Sequence, residues 1–298
     1  MTIAACYLST EGVVLGADSM STVFVPGSGA QQGSEHHFNF AQKVFEFGEP
    51  GASVGVTLWG LGSLLTKSHR TIIAEAADQS LTANLPDLKQ VADLVGQLYA
   101  QEYEQSFRDI ITQANTLQQK GEERTKKEDE ALADWKQMLA LGICLGGRWG
   151  ASRNPRAFEI VFDVTGPFPS RVNELAKGTP YFWGCPNLIE RVLRGTDFQT
   201  ASRISNSPHW QGSFRDLLQI LEQSRLGRPM DLPLREAIDW MHASIYTTIK
   251  TMKFSHLEPL CGGPIEIAAV TSDRPFRWVC HKRLSEAVTT HQSPETRA

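Results

Sequence analysis

The feature of this sequence that most constrains its fold is the separation of strand-like from helix-like segments along the chain. The first 60 residues alternate short apolar runs with Gly- and Pro-containing turns, which is typical of hairpins. From Leu64 to about Leu117 the apolar residues instead recur three and four positions apart, which predicts long helices. Strands, helices and strands follow in turn. Segregated runs of this kind favour the α+β class with antiparallel sheets over a strictly alternating parallel fold.

The predicted elements are as follows. Strands are predicted at 3–8, 13–17, 42–47, 53–59, 138–146, 156–164, 179–183, 264–271 and 276–282. Helices are predicted at 64–78, 85–117 and 233–250, with others beginning at Leu188 and Phe214. The Gly-, Ser- and Gln-rich stretch 26–35 is predicted as a loop. The charged stretch 118–134 is predicted as a solvated helix extension or a mobile hairpin tip.

Some predicted strands are apolar at almost every position, as in 143–145 and 265–270. Strands buried on both faces have this composition, so we expect two stacked sheets between helical layers. No stretch has the composition of a linker, and residues 1–298 are therefore predicted to form one domain. This domain would carry an extended helical pair around 85–134 and a polar tail from about residue 284.

Composition excludes several classes of protein. The chain has 298 residues, 41% hydrophobic and 21% charged, and its formal net charge of −4 provides no basic excess for nucleic acid or a membrane surface. No apolar run approaches a membrane span and no leader peptide is recognisable, so a cytoplasmic location is expected. The five cysteines have no metal-type spacing, which favours reduced thiols and no metal site. No nucleotide-binding glycine motif occurs, so no cofactor is expected.

Thr2 is a candidate catalytic residue because of its position. The initiator methionine is normally removed when the next side chain is small, and removal of Met1 would leave a free α-amine beside the Thr2 hydroxyl. An α-amine titrates near pH 8, so it can accept the hydroxyl proton and make one residue both nucleophile and base. Many cytosolic proteins nevertheless begin Met-Thr without catalytic use, and the context of Thr2 has to decide.

The context is an ordered set of three segments. Gly12-Val13-Val14-Leu15-Gly16-Ala17-Asp18 comes first, then Lys43-Val44-Phe45, then Trp59-Gly60-Leu61-Gly62-Ser63 before a helix. This order resembles the proteasome β-type family of N-terminal-nucleophile hydrolases. Asp18 stands sixteen residues after the threonine (18 − 2), the spacing used in that family. The resemblance implies a four-layer αββα sandwich of two antiparallel sheets.

The resemblance also implies a role for each residue. Thr2 would be the nucleophile, Asp18 the carboxylate that orients the lysine and the threonine backbone, and Lys43 the ammonium near the hydroxyl. Gly62 N–H would hold the oxyanion. Taken singly, Asp18 could be a turn residue, Lys43 a strand charge, and Gly60 and Gly62 a strand-to-helix turn. Only the ordered set indicates a site.

Two C-terminal segments extend the resemblance to nearly the whole chain but depart from the family pattern. Cys185, in Trp183-Gly184-Cys185-Pro186, stands where the family has a serine beside the threonine amine. Glu258 and Cys261 stand where the family has an aspartate and a second serine. Thiols are weaker hydrogen-bond partners than hydroxyls, so these changes are expected to loosen the support of the amine. The histidines, including His69, form no recognisable set and are interpreted as satisfied or exposed residues.

The family resemblance implies a threonine-type endopeptidase that acts on peptides or unfolded proteins inside stacked homo-oligomeric rings, with an ATP-dependent unfoldase as partner. The length favours a bacterial proteasome homologue, such as the betaproteobacterial type. Two alternatives stay open. One is an N-terminal-nucleophile amidohydrolase acting on a small molecule. The other is a catalytically weakened assembly protein, in which Cys185 and Glu258 mark a lost site.

Overall fold

The computed structural model of the protein describes residues 2–25, 34–49, 51–223, 231–256 and 260–282. The strands within these ranges are β1 (Ile3–Leu8), β2 (Gly12–Ala17), β3 (Ser21–Val25), β4 (Ser34–Phe38), β5 (Val44–Glu46), β6 (Val54–Gly60), β7 (Leu141–Gly147), β8 (Arg156–Phe162), β9 (Arg171–Glu174), β10 (Pro180–Gly184), β11 (Glu266–Thr271) and β12 (Arg277–Cys280). The α-helices are α1 (His69–Thr82), α2 (Leu88–Lys120), α3 (Lys126–Met138), α4 (Asn187–Arg194), α5 (Phe198–Ser205), α6 (Phe214–Gln223) and α7 (Leu234–Phe254).

Ten of these strands form two large antiparallel sheets. The first sheet has the order β10-β1-β2-β11-β12, and the second has the order β5-β6-β7-β8-β9. Neighbouring strands are antiparallel throughout both sheets. Strands β3 and β4 pair separately as a two-stranded ribbon. The predicted pair of antiparallel sheets is therefore present.

The two sheets pack face to face. This packing explains why β1 is apolar along its length. Side chains alternate between the two faces of a strand. Ala4, Cys6 and Leu8 lie in a buried cluster shared with the second sheet, which contributes Cys144 among others. The alternate residues of β1, including Tyr7, lie in a different buried cluster against α7. A strand covered on both faces is mostly apolar, as β1 is.

Helices pack against both sheets. Ile72 of α1 and Val91 and Tyr99 of α2 share a buried cluster with the second sheet, including Ile143 of β7. On the other side, Met241 of α7 is fully buried against the first sheet. No helix in the described part of the chain is long and apolar enough to cross a membrane.

The region predicted as an extended helical pair around 85–134 contains α2 and α3, and α3 continues to Met138. The charged stretch 118–134 holds the end of α2, a 3₁₀ turn at Gly121–Glu123 and most of α3. Thr125 begins α3 with a capping box to Glu128, a helix-start signal inside the run of charges. The predicted strand at 138–146 consequently begins later, with Leu141 as the first residue of β7.

Other elements were missed because their sequences are polar or short. Strand β4 (Ser-Glu-His-His-Phe) overlaps the end of the predicted loop 26–35. Residues 26–33 of that loop lie outside the described ranges. The polar tail predicted from residue 284 also lies outside them. Strand β9 is a largely exposed edge strand, so it lacks apolar alternation. Helix α5 has only eight residues. Buried elements have a periodic pattern of apolar residues, and elements with little burial lack that pattern.

The topology places the start of the chain in the middle of a sheet. Strand β1 pairs with β10 on one side and with β2 on the other. Ile3 lies opposite Gly184, and Ala4 lies opposite Ala17. Thr2, Asp18 and Cys185 therefore meet at the same end of these three strands. Thr2 and Cys185 are 183 positions apart in the chain (185 − 2).

Candidate active site

Thr2 lies just before β1 and is almost fully buried, with 3% of its surface exposed. It lines a small pocket of about 70 Å³ together with Lys43, Gly62 and other residues from the ends of β2, β5 and β6. Asp18 and Lys43 reach this place from two different sheets, since Asp18 follows β2 and Lys43 precedes β5. The pocket thus lies at the junction of the two sheets.

Asp18 is the most highly connected side chain at this junction. Its carboxylate has no exposed surface. Oδ1 accepts the Ile3 N–H at 3.1 Å and the Lys43 Nζ at 2.7 Å. Oδ2 accepts the Met20 N–H at 3.2 Å and the Gly262 N–H at 2.8 Å. Four donors satisfy the buried charge and join β1, the lysine and the segment before β11 at one point.

Lys43 is a buried ammonium, with 8% of its surface exposed. Burial lowers its pKa, because a low-polarity environment disfavours the charged form, and the negative charge of Asp18 opposes that effect. The Lys43 carbonyl also accepts the Leu58 N–H at 2.9 Å, which attaches the residue to β6. The ion pair therefore holds a cation at the wall of the pocket that contains Thr2.

The two thiols that the sequence singled out are buried near the same centre. Burial raises the pKa of Cys185 to about 11, although the Thr2 N–H donates to this thiol and opposes the rise. Burial likewise raises the pKa of Cys261, and the negative charge of Asp18 adds to it. Cys261 Sγ lies 3.4 Å from Met252 Sδ. Both groups are neutral thiols at physiological pH, which excludes them as ready nucleophiles. Glu258 lies outside the described residues.

The Gly60–Gly62 turn forms another part of the pocket wall. Gly60 has a φ of +85°, and a Cβ at this position would lie 2.1 Å from the carbonyl oxygen of Ala140. Only glycine fits this place. The next residue, Leu61, donates its N–H to that same carbonyl at 2.8 Å, so the turn is attached to the start of β7.

The structure therefore brings Thr2, Asp18, Lys43, Gly62, Cys185 and Cys261 together, and it adds a residue that the sequence did not indicate. His69 lines the same pocket, and its Nε2 lies 3.0 Å from the Leu61 carbonyl oxygen. The predicted helix began at Leu64, which placed His69 in its interior. Ser68 is the N-cap and accepts the Thr71 N–H. That capping serine was the signal that His69 is the first residue of a helix.

The comparisons with known proteins identify no family. No family model matches the sequence, and no curated protein matches it. A solved structure titled Anbu (Gly-1) mutant from Hyphomicrobium sp. strain MC1 matches with 14% sequence identity and a TM-score of 0.47, over 100% of both chains. This identity and this score are too low to assign the chain to a family.

The buried His69 leads to a pH dependence of stability. Burial lowers its pKa below the ordinary value of 6.5, while the Leu61 and Gly62 carbonyls oppose the shift. The unfolded chain then takes up a proton near pH 6.5, and the folded chain takes it up only at lower pH. Stability therefore decreases as the pH falls through 6.5, by at most about 1.4 kcal/mol per pH unit, until the folded-state pKa is passed.

Urea unfolding between about pH 7.5 and pH 5.5 measures this effect when the protein is compared with His69→Gln, whose side chain does not titrate. We expect a steeper loss of stability in the unchanged protein. Equal slopes would show that His69 has the same proton affinity in the folded and unfolded chains.

Proposed function

We propose that the chain is an N-terminal-nucleophile hydrolase that cuts amide bonds with Thr2, after removal of Met1, and that its two sheets and outer helices form the four-layer αββα sandwich of such enzymes. The observation that carries the proposal is the fully buried Asp18 carboxylate. It binds the Lys43 ammonium and the Ile3 N–H through one oxygen, directly beside Thr2. A buried ion pair adds little to stability, so a chemical use explains its presence better than a structural one.

The proposed reaction proceeds in two stages. The Thr2 hydroxyl oxygen attacks the carbonyl carbon while its proton passes to the Thr2 α-amine, and the Gly62 N–H stabilises the oxyanion. The C–N bond then breaks, the leaving amine takes that proton, and an acyl ester remains on Thr2. Water next adds to the ester and gives a proton to the α-amine. The C–O bond then breaks, the α-amine returns that proton to the Thr2 oxygen, and the acid is released. Lys43 lowers the energy of the deprotonated hydroxyl.

The size of the pocket favours a peptide substrate over a small molecule. Sites that enclose a small ligand usually measure about 300–1,000 Å³. The pocket at Thr2 measures about 70 Å³, which suits one side chain of a longer substrate lying across the surface. A larger cavity of about 430 Å³ is lined by Phe47, Leu81 and Trp149, but it contains none of the predicted site residues. Peptides and unfolded proteins are therefore the proposed substrates. The family resemblance adds stacked homo-oligomeric rings as the proposed assembly and an ATP-dependent unfoldase as the proposed partner.

The test is intact-protein mass spectrometry before and after incubation with a peptide epoxyketone, which requires a hydroxyl and a free α-amine on the same residue. We expect a mass without Met1 that increases by one inhibitor. Thr2→Ala should show no increase. Thr112→Ala is the matched control, since the Thr112 hydroxyl lies on the exposed surface of α2 and, among the described residues, donates to the Arg108 carbonyl alone.

Two results would contradict the proposal. A protein that keeps Met1 has no free amine on Thr2, and a protein without Met1 that forms no adduct has an inactive site. Either result would favour the assembly-protein alternative, which the neutral thiol of Cys185 in contact with Thr2 supports. Adduct formation together with hydrolysis of small acyl-amides but not of fluorogenic peptides would favour the small-molecule amidohydrolase.

A further inference from the structure

His69 contacts the Gly60–Gly62 turn and is 9% exposed. Its Nε2 lies 3.0 Å from the Leu61 carbonyl oxygen. A carbonyl oxygen can only accept a hydrogen bond, so Nε2 must carry the hydrogen. The structure thus assigns the tautomer of this histidine, with Nε2 as donor and Nδ1 as the nitrogen with a lone pair.

The hydrogen bond from His69 determines the direction of a second group. The carbonyl of Leu61 and the N–H of Gly62 belong to the same peptide unit, which is planar and trans, so they point in opposite directions. Once the Leu61 oxygen is held toward α1, the Gly62 N–H must point away from α1. Gly62 lines the pocket that contains Thr2. His69 therefore fixes the orientation of the N–H that the proposed reaction uses as oxyanion donor.

The turn needs such a restraint because of its composition. Glycines at 60 and 62 flank Leu61, and glycine permits rotations of the adjoining peptide that other residues resist. The peptide before Leu61 is already held, since the Leu61 N–H donates to Ala140 at 2.8 Å. The peptide after Leu61 is held by His69.

The imidazole ring is itself held in place. It lies against the buried Tyr99 ring, with centroids 5.8 Å apart and planes 23° from parallel. Within the described residues, neither Nδ1 of His69 nor the Tyr99 hydroxyl has a hydrogen-bond partner. Burial lowers the pKa of His69, so at neutral pH the ring stays neutral and Nε2 keeps the hydrogen that it donates to Leu61.

We propose that His69 is a positioning residue for oxyanion binding, which acts by orienting the Leu61–Gly62 peptide through its Nε2–H. This inference rests on the proposed function of Thr2. His69 does not touch the reacting atoms, so its effect should appear in the rate of the chemical step and only weakly in substrate binding.

The experiment measures the rate of peptide-epoxyketone adduct formation as a function of inhibitor concentration, because the first step of that reaction also forms an oxyanion at Thr2. His69→Phe and His69→Asn should lower the maximal rate about 100-fold, with little change in the half-saturating concentration. His69→Gln should retain most of the rate, since a glutamine amide reaches the position of Nε2. An asparagine amide reaches only the position of Nδ1, which has no hydrogen-bond partner in the described part of the chain. Ile72→Val, also in α1 and buried, is the control for lost packing and should keep the full rate.

The outcomes separate the two proposals. A wild-type protein that forms no adduct overturns the function proposed for Thr2, and the role of His69 with it. If wild type reacts and folded His69→Phe reacts equally fast, only the positioning role is overturned. If Gln, Asn and Phe at position 69 slow the reaction equally and in proportion to their loss of stability, His69 is merely structural.

Discussion

Replacing Asp18 with alanine is expected to lower the free energy of unfolding by about 3–5 kcal/mol and to abolish reaction at Thr2. The substitution leaves the Lys43 ammonium buried without its partner. It also removes the acceptor of three backbone N–H groups, those of Ile3, Met20 and Gly262. Because Asp18 is the group that raises the pKa of Lys43 against burial, the lysine should lose its charge more readily in this variant.

Chemical denaturation measures the loss of stability, and epoxyketone labelling measures the loss of reaction. Asp197→Ala is the matched control: Asp197 is also fully buried and paired with an arginine, Arg191, but it caps α5. We expect this control to lose stability and to label normally. Adding Lys43→Met to Asp18→Ala should restore part of the stability, since no unpaired charge is then buried, while labelling stays absent. Normal labelling of Asp18→Ala would show that the ion pair is only structural.

Replacing Gly184 with alanine is expected to displace Thr2 itself. Gly184 has a φ of +82°, and a Cβ at this position would lie 1.9 Å from the Thr2 carbonyl oxygen. Backbone atoms cannot rotate away as a side chain can, so β1 and β10 must separate where Ile3 pairs with Gly184. The left-handed conformation and the clash together should cost about 2–5 kcal/mol of stability. A displacement of about 1 Å should slow labelling of Thr2 roughly 100-fold.

Gly150→Ala separates the cost of the left-handed backbone conformation from the cost of the clash. Gly150 also has a positive φ, +61°, but a Cβ there meets nothing within 4 Å. This variant should lose only about 1–2 kcal/mol and should label at the normal rate. If Gly184→Ala labels as fast as Gly150→Ala, the backbone at Thr2 tolerates the added methyl group, and the close approach is not needed for reaction.

Much of the fold could be predicted because buried strands and helices require apolar residues at regular positions in the sequence. Strands β1, β2 and β7 are buried on both faces and read as apolar runs. The long helices carry apolar residues at helical spacing because one side packs on a sheet. The elements missed or misplaced, among them β4, β9 and α3, have mostly exposed side chains, so their propensities and caps were the only signals available.

The candidate site residues were predicted from the family resemblance that an ordered set of motifs carries. His69 was not predicted, since it belongs to no motif and its importance depends on a single hydrogen bond to Leu61. Such a contact depends on where α1 begins relative to β6. A shift of one residue at the start of a helix turns a side chain by about 100°.

The sequence by itself determined the order of the elements, the antiparallel sheets and the residue types available for chemistry, because these follow from local periodicity and from side-chain identity. Only the tertiary structure decided which of those residues meet. Strand β1 pairs between β2 and β10, and this pairing brings together Thr2, Asp18 and Cys185. Lys43 comes from the second sheet and binds Asp18. Pairing of distant strands and the packing of two sheets depend on contacts between remote residues, which no local pattern specifies.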